Sequence, residues 1–292
     1  MSKIKDVMDK LEKVLYFPLT RIAVGVVVCG FAMLATNSAL RLVFRPEGDA
    51  TRIIRWLLST TALLVAYYFL FRRYERRDVT ELSKTNLLKE SLLGFSVGVF
   101  SISLVIFALY IMGYYEVLSA NHVTDLLLSL FLFVSLAALE EIIFRGIIYR
   151  IVEESLGTNL ALIISALLFG LAHASNEHAT AISVVSAAGG GILAGLMFSL
   201  TRRLWLPIAF HVGWNWAQAS FGAVVSGIEE LPTFLKIKLN GPELITGGAF
   251  GVENSFITIG LVLLLSSVAY YLTWKKGNVV KAPRRLRKVD SK

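Results

Sequence analysis

The chain has 292 residues, 55% of them hydrophobic, a mean hydropathy of +0.66 and only 17% charged residues, where an ordinary soluble domain carries about 25%. The charges sit in short clusters between long apolar runs, which excludes a soluble globular domain and calls for a bilayer. The net charge of +8 would suit nucleic acid in a soluble protein. Here the basic residues flank apolar runs, so lipid headgroups and topology account for them, and no nucleic-acid partner is expected.

In chain order, residues 1–17 mix acids and bases in a helical pattern and lack an apolar core followed by a small-residue cleavage site. They read as an amphipathic helix on the membrane surface, not as a cleaved leader. Eight apolar spans follow, at approximately 22–40, 53–71, 91–114, 125–149, 158–174, 179–200, 205–223 and 255–274. Several fall short of the ~20 residues of a simple crossing and must tilt or be sheltered by neighbours. The lone thiol, Cys29, has no partner and reads as a small buried hydrophobe. Residues 275–292 form a basic tail. With no repeat and no soluble domain, residues 1–292 read as one all-α membrane domain, a polytopic bundle of about eight transmembrane helices.

All but 6 of the 29 Lys and Arg fall on the side of the two termini. The positive-inside rule therefore predicts both termini in the cytoplasm. The expected location is the plasma membrane of a prokaryote.

Ionisable groups inside a membrane are costly and mark function. Three clusters stand out. In Leu139-Glu140-Glu141-Ile142-Ile143-Phe144-Arg145-Gly146, two adjacent carboxylates point ~100° apart on a helix, so they cannot share one role. Glu141 and Arg145, four apart, are spaced for an ion pair. Glu140 is left unpaired, suited to take a proton from water. The bland alternative makes both glutamates polar contacts between helices. Phe169-Gly170-Leu171-Ala172-His173 ends the fifth span; His122 and His178 lie in loops and read as solvated. His211 and Asn215 in the seventh span share a helix face, and two converging donors suit a developing oxyanion. The bland reading there is a helix–helix contact. Ser183, Ala187, Gly191 and Gly195, at spacing four, read as a packing stripe. Glu140 lies ~15 Å before Arg150 and His211 ~12 Å after Arg203 along their helices, so the site is expected to open toward the cytoplasmic half. His173, ~22 Å from Thr158, fits only if its helix tilts or is re-entrant.

EExxxR, FxxxH and HxxxN in this order on three apolar helices, with Leu204-Trp205-Leu206-Pro207-Ile208 before His211, resemble the CPBP intramembrane protease family. That family, also called Abi, includes the type II CAAX prenyl endopeptidases. The resemblance covers roughly 125–221, the protease core. It implies that Glu140 and His173 activate the attacking water, that His211 and Asn215 stabilise the oxyanion, and that Glu141 and Arg145 shape the site. The implied substrate is a membrane-associated protein or peptide, prenylated and CAAX-like or not. Glu140, His173 and His211 could also supply one carboxylate and two imidazoles to zinc or another divalent metal, which would make the enzyme a metalloendopeptidase. HExxH is absent and a glutamate-activated water needs no metal, so the metal-free scheme is preferred. The competing readings are a non-catalytic immunity or partner-binding protein on the same scaffold and a proton-coupled transporter. The latter often shows repeated halves, which this sequence lacks.

Overall fold

The structure, a computed structural model, describes residues 12–282. The surface-helix reading of 1–17 rests mainly on residues outside that range, as does the tail reading beyond residue 282.

The helices are α1 (Pro18–Val43), α2 (Asp49–Tyr74), α3 (Leu87–Ile111), α4 (Thr124–Glu141), α5 (Arg150–Leu156), α6 (Thr158–Ala172), α7 (Ala181–Thr201), α8 (Trp205–Ser220), α9 (Glu243–Thr246) and α10 (Phe256–Lys275). A π-helical segment, Ile142–Tyr149, joins α4 to α5 without a break. Strands β1 (Tyr115–Ala120) and β2 (Leu235–Leu239) pair antiparallel at one end of the bundle. The chain is an all-α, multi-pass integral membrane protein. Among the described residues seven helices are long and apolar enough to cross, with Thr124–Leu156 running as one helix of 33 residues.

The seventh predicted span, 205–223, forms as α8, but it is shorter than expected. Its 16 residues rise ~24 Å, less than the ~30 Å hydrocarbon core. The chain turns away directly after it, at Gly222, whose φ of +77° suits glycine. Neighbours shelter this short helix and its polar side chains. Gly94 and Gly98, in the sequence GFSVG of α3, let the two backbones touch. A Cβ on Gly94 would lie 2.5 Å from the Leu206 carbonyl oxygen, and one on Gly98 would lie 2.7 Å from the Trp214 nitrogen. Gly213 of α8 meets the Phe95 backbone in the same way. This is the small-xxx-small packing of membrane helices, and the first three spans gave no such signal in the sequence reading. The stripe on α7 packs as expected. Gly191 lies against the Ala166 backbone and Gly195 against Leu162, both on α6.

The end of the bundle rich in Lys and Arg is tied by ion pairs. Arg21 reaches Glu75 at 2.8 Å and Glu154 at 2.7 Å, and Arg150 reaches Glu75 at 2.9 Å. Arg202 pairs with Glu153 and Arg203 with Glu90. Both described ends of the chain lie here, since Thr158 N–H donates to the Val280 carbonyl at 3.0 Å and Arg21 belongs to the same cluster. Burial opposes the charged form of Glu81, but hydrogen bonds from Arg77 and the charge of Arg77 outweigh it and hold the carboxyl below its ordinary 4.5. Burial likewise opposes Glu75, and Arg150, Arg77 and Arg21 together hold it low.

Two outcomes follow for the scaffold. Gly98→Ala should lower thermal stability in detergent by about 1–3 kcal/mol, as overpacking does, whereas Gly30→Ala, with nothing within 4 Å of its new methyl, should not. Equal melting of both variants would remove the close-crossing role. The Glu81 contribution is complete above about pH 4.5 and is lost as pH falls through its lower folded value. Glu81→Gln should therefore melt lower at neutral pH and show a shallower fall on acidification than the wild type; parallel curves would contradict the linkage.

Candidate active site

Glu140 and Glu141 close α4, and the helix widens into its π segment immediately after them. A π turn releases carbonyls from the regular ladder, and donors from outside take them up. Ser165 Oγ donates to the Phe144 carbonyl at 2.9 Å, and Arg150 Nε donates to the Gly146 carbonyl at 3.0 Å. The Tyr67 hydroxyl sits between that same carbonyl and Glu81. π segments occur frequently at functional sites.

The expected pair is present. Arg145 Nη1 donates to Glu141 Oε1 at 2.9 Å, with both side chains essentially inaccessible. Arg145 Nη2 donates to the Gly191 carbonyl of α7 at 2.9 Å, so the packing stripe also offers an acceptor. The guanidinium carbon lies 4.6 Å from the centre of the Phe169 ring, within cation–π range.

Glu141 does more than the sequence suggested. The same Oε1 accepts from His211 Nδ1 at 3.0 Å, joining α4 to α8. A carboxylate only accepts, so Nδ1 carries the proton. His211 Nε2 then faces Glu140, whose Oε2 is 3.8 Å away, too far for a direct hydrogen bond. Glu140 Oε2 is buried and has no hydrogen-bond partner among the described residues.

His173 follows α6 in a short 3-10 turn. Its Nδ1 lies 2.9 Å from the Phe169 carbonyl, which again fixes the proton on Nδ1 and leaves Nε2 with its lone pair in the neutral ring. Phe169 is the aromatic hub, with ring centroids 4.6 Å from His173, 5.0 Å from Phe144 and 6.2 Å from His211. Asn215, one turn beyond His211, is buried.

Glu140, His173, His211 and Asn215 all line one cavity of about 200 Å³. A second, of about 70 Å³, lies against Glu141, Arg145 and Glu253 and shares His173, His211 and Asn215 with the first. All six sequence-derived residues thus come together. His178 instead bonds Glu229 at the surface, at 3.1 Å, and His122 lines neither cavity.

The sequence reading placed the opening toward the Lys- and Arg-rich end, and the structure corrects that placement. The larger cavity is walled by Asn176, Ser226, Ile228 and Leu231, from loops at the end opposite the Arg–Glu cluster. His173 sits at the far end of α6, and Glu140 is midway along Thr124–Leu156. Asn176 Nδ2 ties these loops together by donating to the Ser226 carbonyl at 2.9 Å. These loop residues, with Gln218 and Glu253, escaped the sequence reading. Gln218 alone carried a signal, since 211, 215 and 218 fall on one helix face.

The three side chains considered as metal ligands do not fit that role as arranged. Among the described residues no three His, Cys, Asp or Glu gather as a metal-holding group. No step below runs through a metal.

Residues 121–217 match the family model described as Type II CAAX prenyl endopeptidase Rce1-like. Over this interval the chain is similar to the Rce1-like family. The matched interval contains all six site residues. A Bacillus subtilis (strain 168) protein named "Putative membrane peptidase YdiL" is 31% identical over 112 residues, which are 38% of this chain and 42% of that relative. The match thus spans less than half of the relative's length. No solved structure matches the chain significantly.

Removing one partner of a buried pair strands the other, at roughly 3–5 kcal/mol. Arg145→Ala should therefore lower the melting temperature or yield in detergent and should also weaken activity, because Glu141 would no longer hold His211 in place. Unchanged melting with unchanged activity would remove both roles.

Proposed function

We propose that the chain is an intramembrane endopeptidase that hydrolyses a peptide bond of a membrane-associated protein or peptide by glutamate-activated water. The observation that carries this reading is the single cavity lined by Glu140, His173, His211 and Asn215. The Rce1-like match and the name of the relative support the reaction class.

In this scheme water enters between Glu140 and the imidazoles. Glu140 takes a proton as the oxygen bonds to the scissile carbonyl carbon, and His173 Nε2 accepts a hydrogen bond from the same water. Charge passes to the carbonyl oxygen, where Asn215 Nδ2 donates. His211 can donate there from Nε2 only as the imidazolium, because its Nδ1 proton already points at Glu141. Collapse of the tetrahedral intermediate breaks the C–N bond, and the proton held by Glu140 passes to the leaving amine. Glu141 orients His211, and Arg145 holds Glu141. A C-terminal CAAX-like peptide, prenylated or not, is the first substrate class to test. Both termini are assigned to the cytoplasm, a reading supported by the Lys/Arg bias and the shared end of the bundle. The assigned membrane is the prokaryotic plasma membrane.

The test uses purified protein in proteoliposomes, with substrates found by comparing membrane-protein C-termini in cells expressing wild type or Glu140→Gln. Glu140→Gln should abolish cleavage while the protein stays folded. Asn215→Ala should lower kcat by ~10²–10³ and leave KM nearly unchanged, since an oxyanion donor acts mainly in the transition state. Asn215→Asp, which brings negative charge to the oxyanion, should be at least as damaging. Undiminished cleavage by Glu140→Gln would sink the scheme, and wild-type kcat in Asn215→Asp would remove the oxyanion role of that residue.

A further inference from the structure

The smaller cavity holds a carboxylate that the mechanism does not use. Glu253 lies in the 3-10 turn Val252–Asn254, just ahead of α10. Its backbone carbonyl accepts from Ser186 Oγ of α7 at 2.5 Å, which pins the turn against the bundle. Its Oε2 accepts from Gln218 Nε2 at 3.0 Å. Because a carboxylate cannot donate, the Gln218 amide is fixed with its nitrogen toward Glu253. Gln218 Oε1 is then a fully buried acceptor with no donor among the described residues, and Asn254 Oδ1 is another. The neighbourhood of Glu253 is therefore rich in acceptors.

The charge balance points the same way. Two carboxylates line this cavity, Glu141 and Glu253. Glu141 is neutralised by Arg145, whereas Glu253 has no Lys, Arg or His partner among the described residues. Leu193, Phe210, Trp214 and Val262 supply long apolar walls. Apolar walls with one unmatched carboxylate suit a side chain with an aliphatic stem and a cationic head. The volume of about 70 Å³ favours the narrow lysine over the broad arginine fork. Since the cavity shares His173, His211 and Asn215 with the larger one, a side chain held here would lie beside the reacting bond.

We propose that this cavity is a specificity pocket for a substrate lysine side chain, with Glu253 as its counter-ion and Gln218 as the residue that positions Glu253. The proposal rests on the endopeptidase reading for its meaning, but it can be tested apart from it. The first measurement is binding of pentylammonium, which carries the lysine side chain plus one carbon in the place of Cα, to the full chain in detergent. It is followed by tryptophan fluorescence, with Trp214→Phe to assign the signal and protein-free micelles as the blank. Pentylammonium should bind about tenfold or more tighter than 1-pentanol, and Glu253→Gln should erase that difference. The second measurement compares cleavage of peptide sets in which one position near the scissile bond is lysine or its neutral analogue norleucine. The wild type should prefer lysine by about tenfold in kcat/KM. Glu253→Gln should bring that ratio close to one, and Glu253→Lys should shift the preference to glutamate.

Equal binding of pentylammonium and 1-pentanol by the wild type overturns the pocket, whether or not any variant folds. Cleavage with a lysine-to-norleucine ratio near one in the wild type, or a ratio unchanged in Glu253→Gln, overturns it and leaves the endopeptidase reading standing. Glu253-dependent pentylammonium binding with no cleavage of any peptide supports the pocket and removes the endopeptidase reading instead.

Discussion

The site depends on one buried carboxylate oxygen. Glu141 Oε1 takes a hydrogen bond from Arg145 on its own helix and another from His211 on α8. An unpaired charge at that depth would be expensive, so each contact is needed for the others to persist. Arg145 in turn reaches α7 through the Gly191 carbonyl and rests on the Phe169 ring of α6. Four helices therefore converge on a single ion pair. Because Oε1 fixes which nitrogen of His211 carries the proton, the electrostatics of the pair become the chemistry of the cavity.

That convergence requires helices to approach very closely, and glycine makes it possible. The α3–α8 crossing at Gly94, Gly98 and Gly213 brings backbones into contact, as does the α6–α7 crossing at Gly170 and Gly191. In lipid the hydrophobic effect gives little drive for helices to associate, so such contacts and interhelical hydrogen bonds carry more of the task. The short α8 can hold His211, Asn215 and Gln218 at membrane depth because α3 and α4 cover it.

The fold class was legible because long apolar runs are a strong local signal, whereas each site motif was weak alone and only the order of the three on apolar helices, with the resemblance it carries, singled out the six residues that the structure brings together. Long apolar runs announce helices, and charges within them are rare enough to be noticed. The Glu141–Arg145 pair followed from spacing alone. The stripe on α7 was legible, but the matching GFSVG of α3 was passed over, since glycines in an apolar run carry no charge to draw the eye. Glu253 was illegible for a different reason. It is separated by 35 residues from Gln218 and by a long loop from every motif, and only tertiary packing brings it to the cavity. The direction of opening was misread because distances along straight helices say nothing about which loops fold back over them.

The π segment has a consequence for how the sequence can change. Relative to a regular helix it holds surplus length between Glu141 and Arg150, kept in place by Ser165 and Tyr67. On one side of it lie the site carboxylates, and on the other lies the Arg–Glu cluster at the membrane surface. Loss of one residue within 142–149 would take up that surplus and let the segment relax to an ordinary helix, with its two ends close to their present angular phase. What the loss would remove is the set of freed carbonyls that Ser165 and Tyr67 now bind. The surplus residue therefore serves the joints to neighbouring helices, and the angle between chemistry and anchorage does not depend on it.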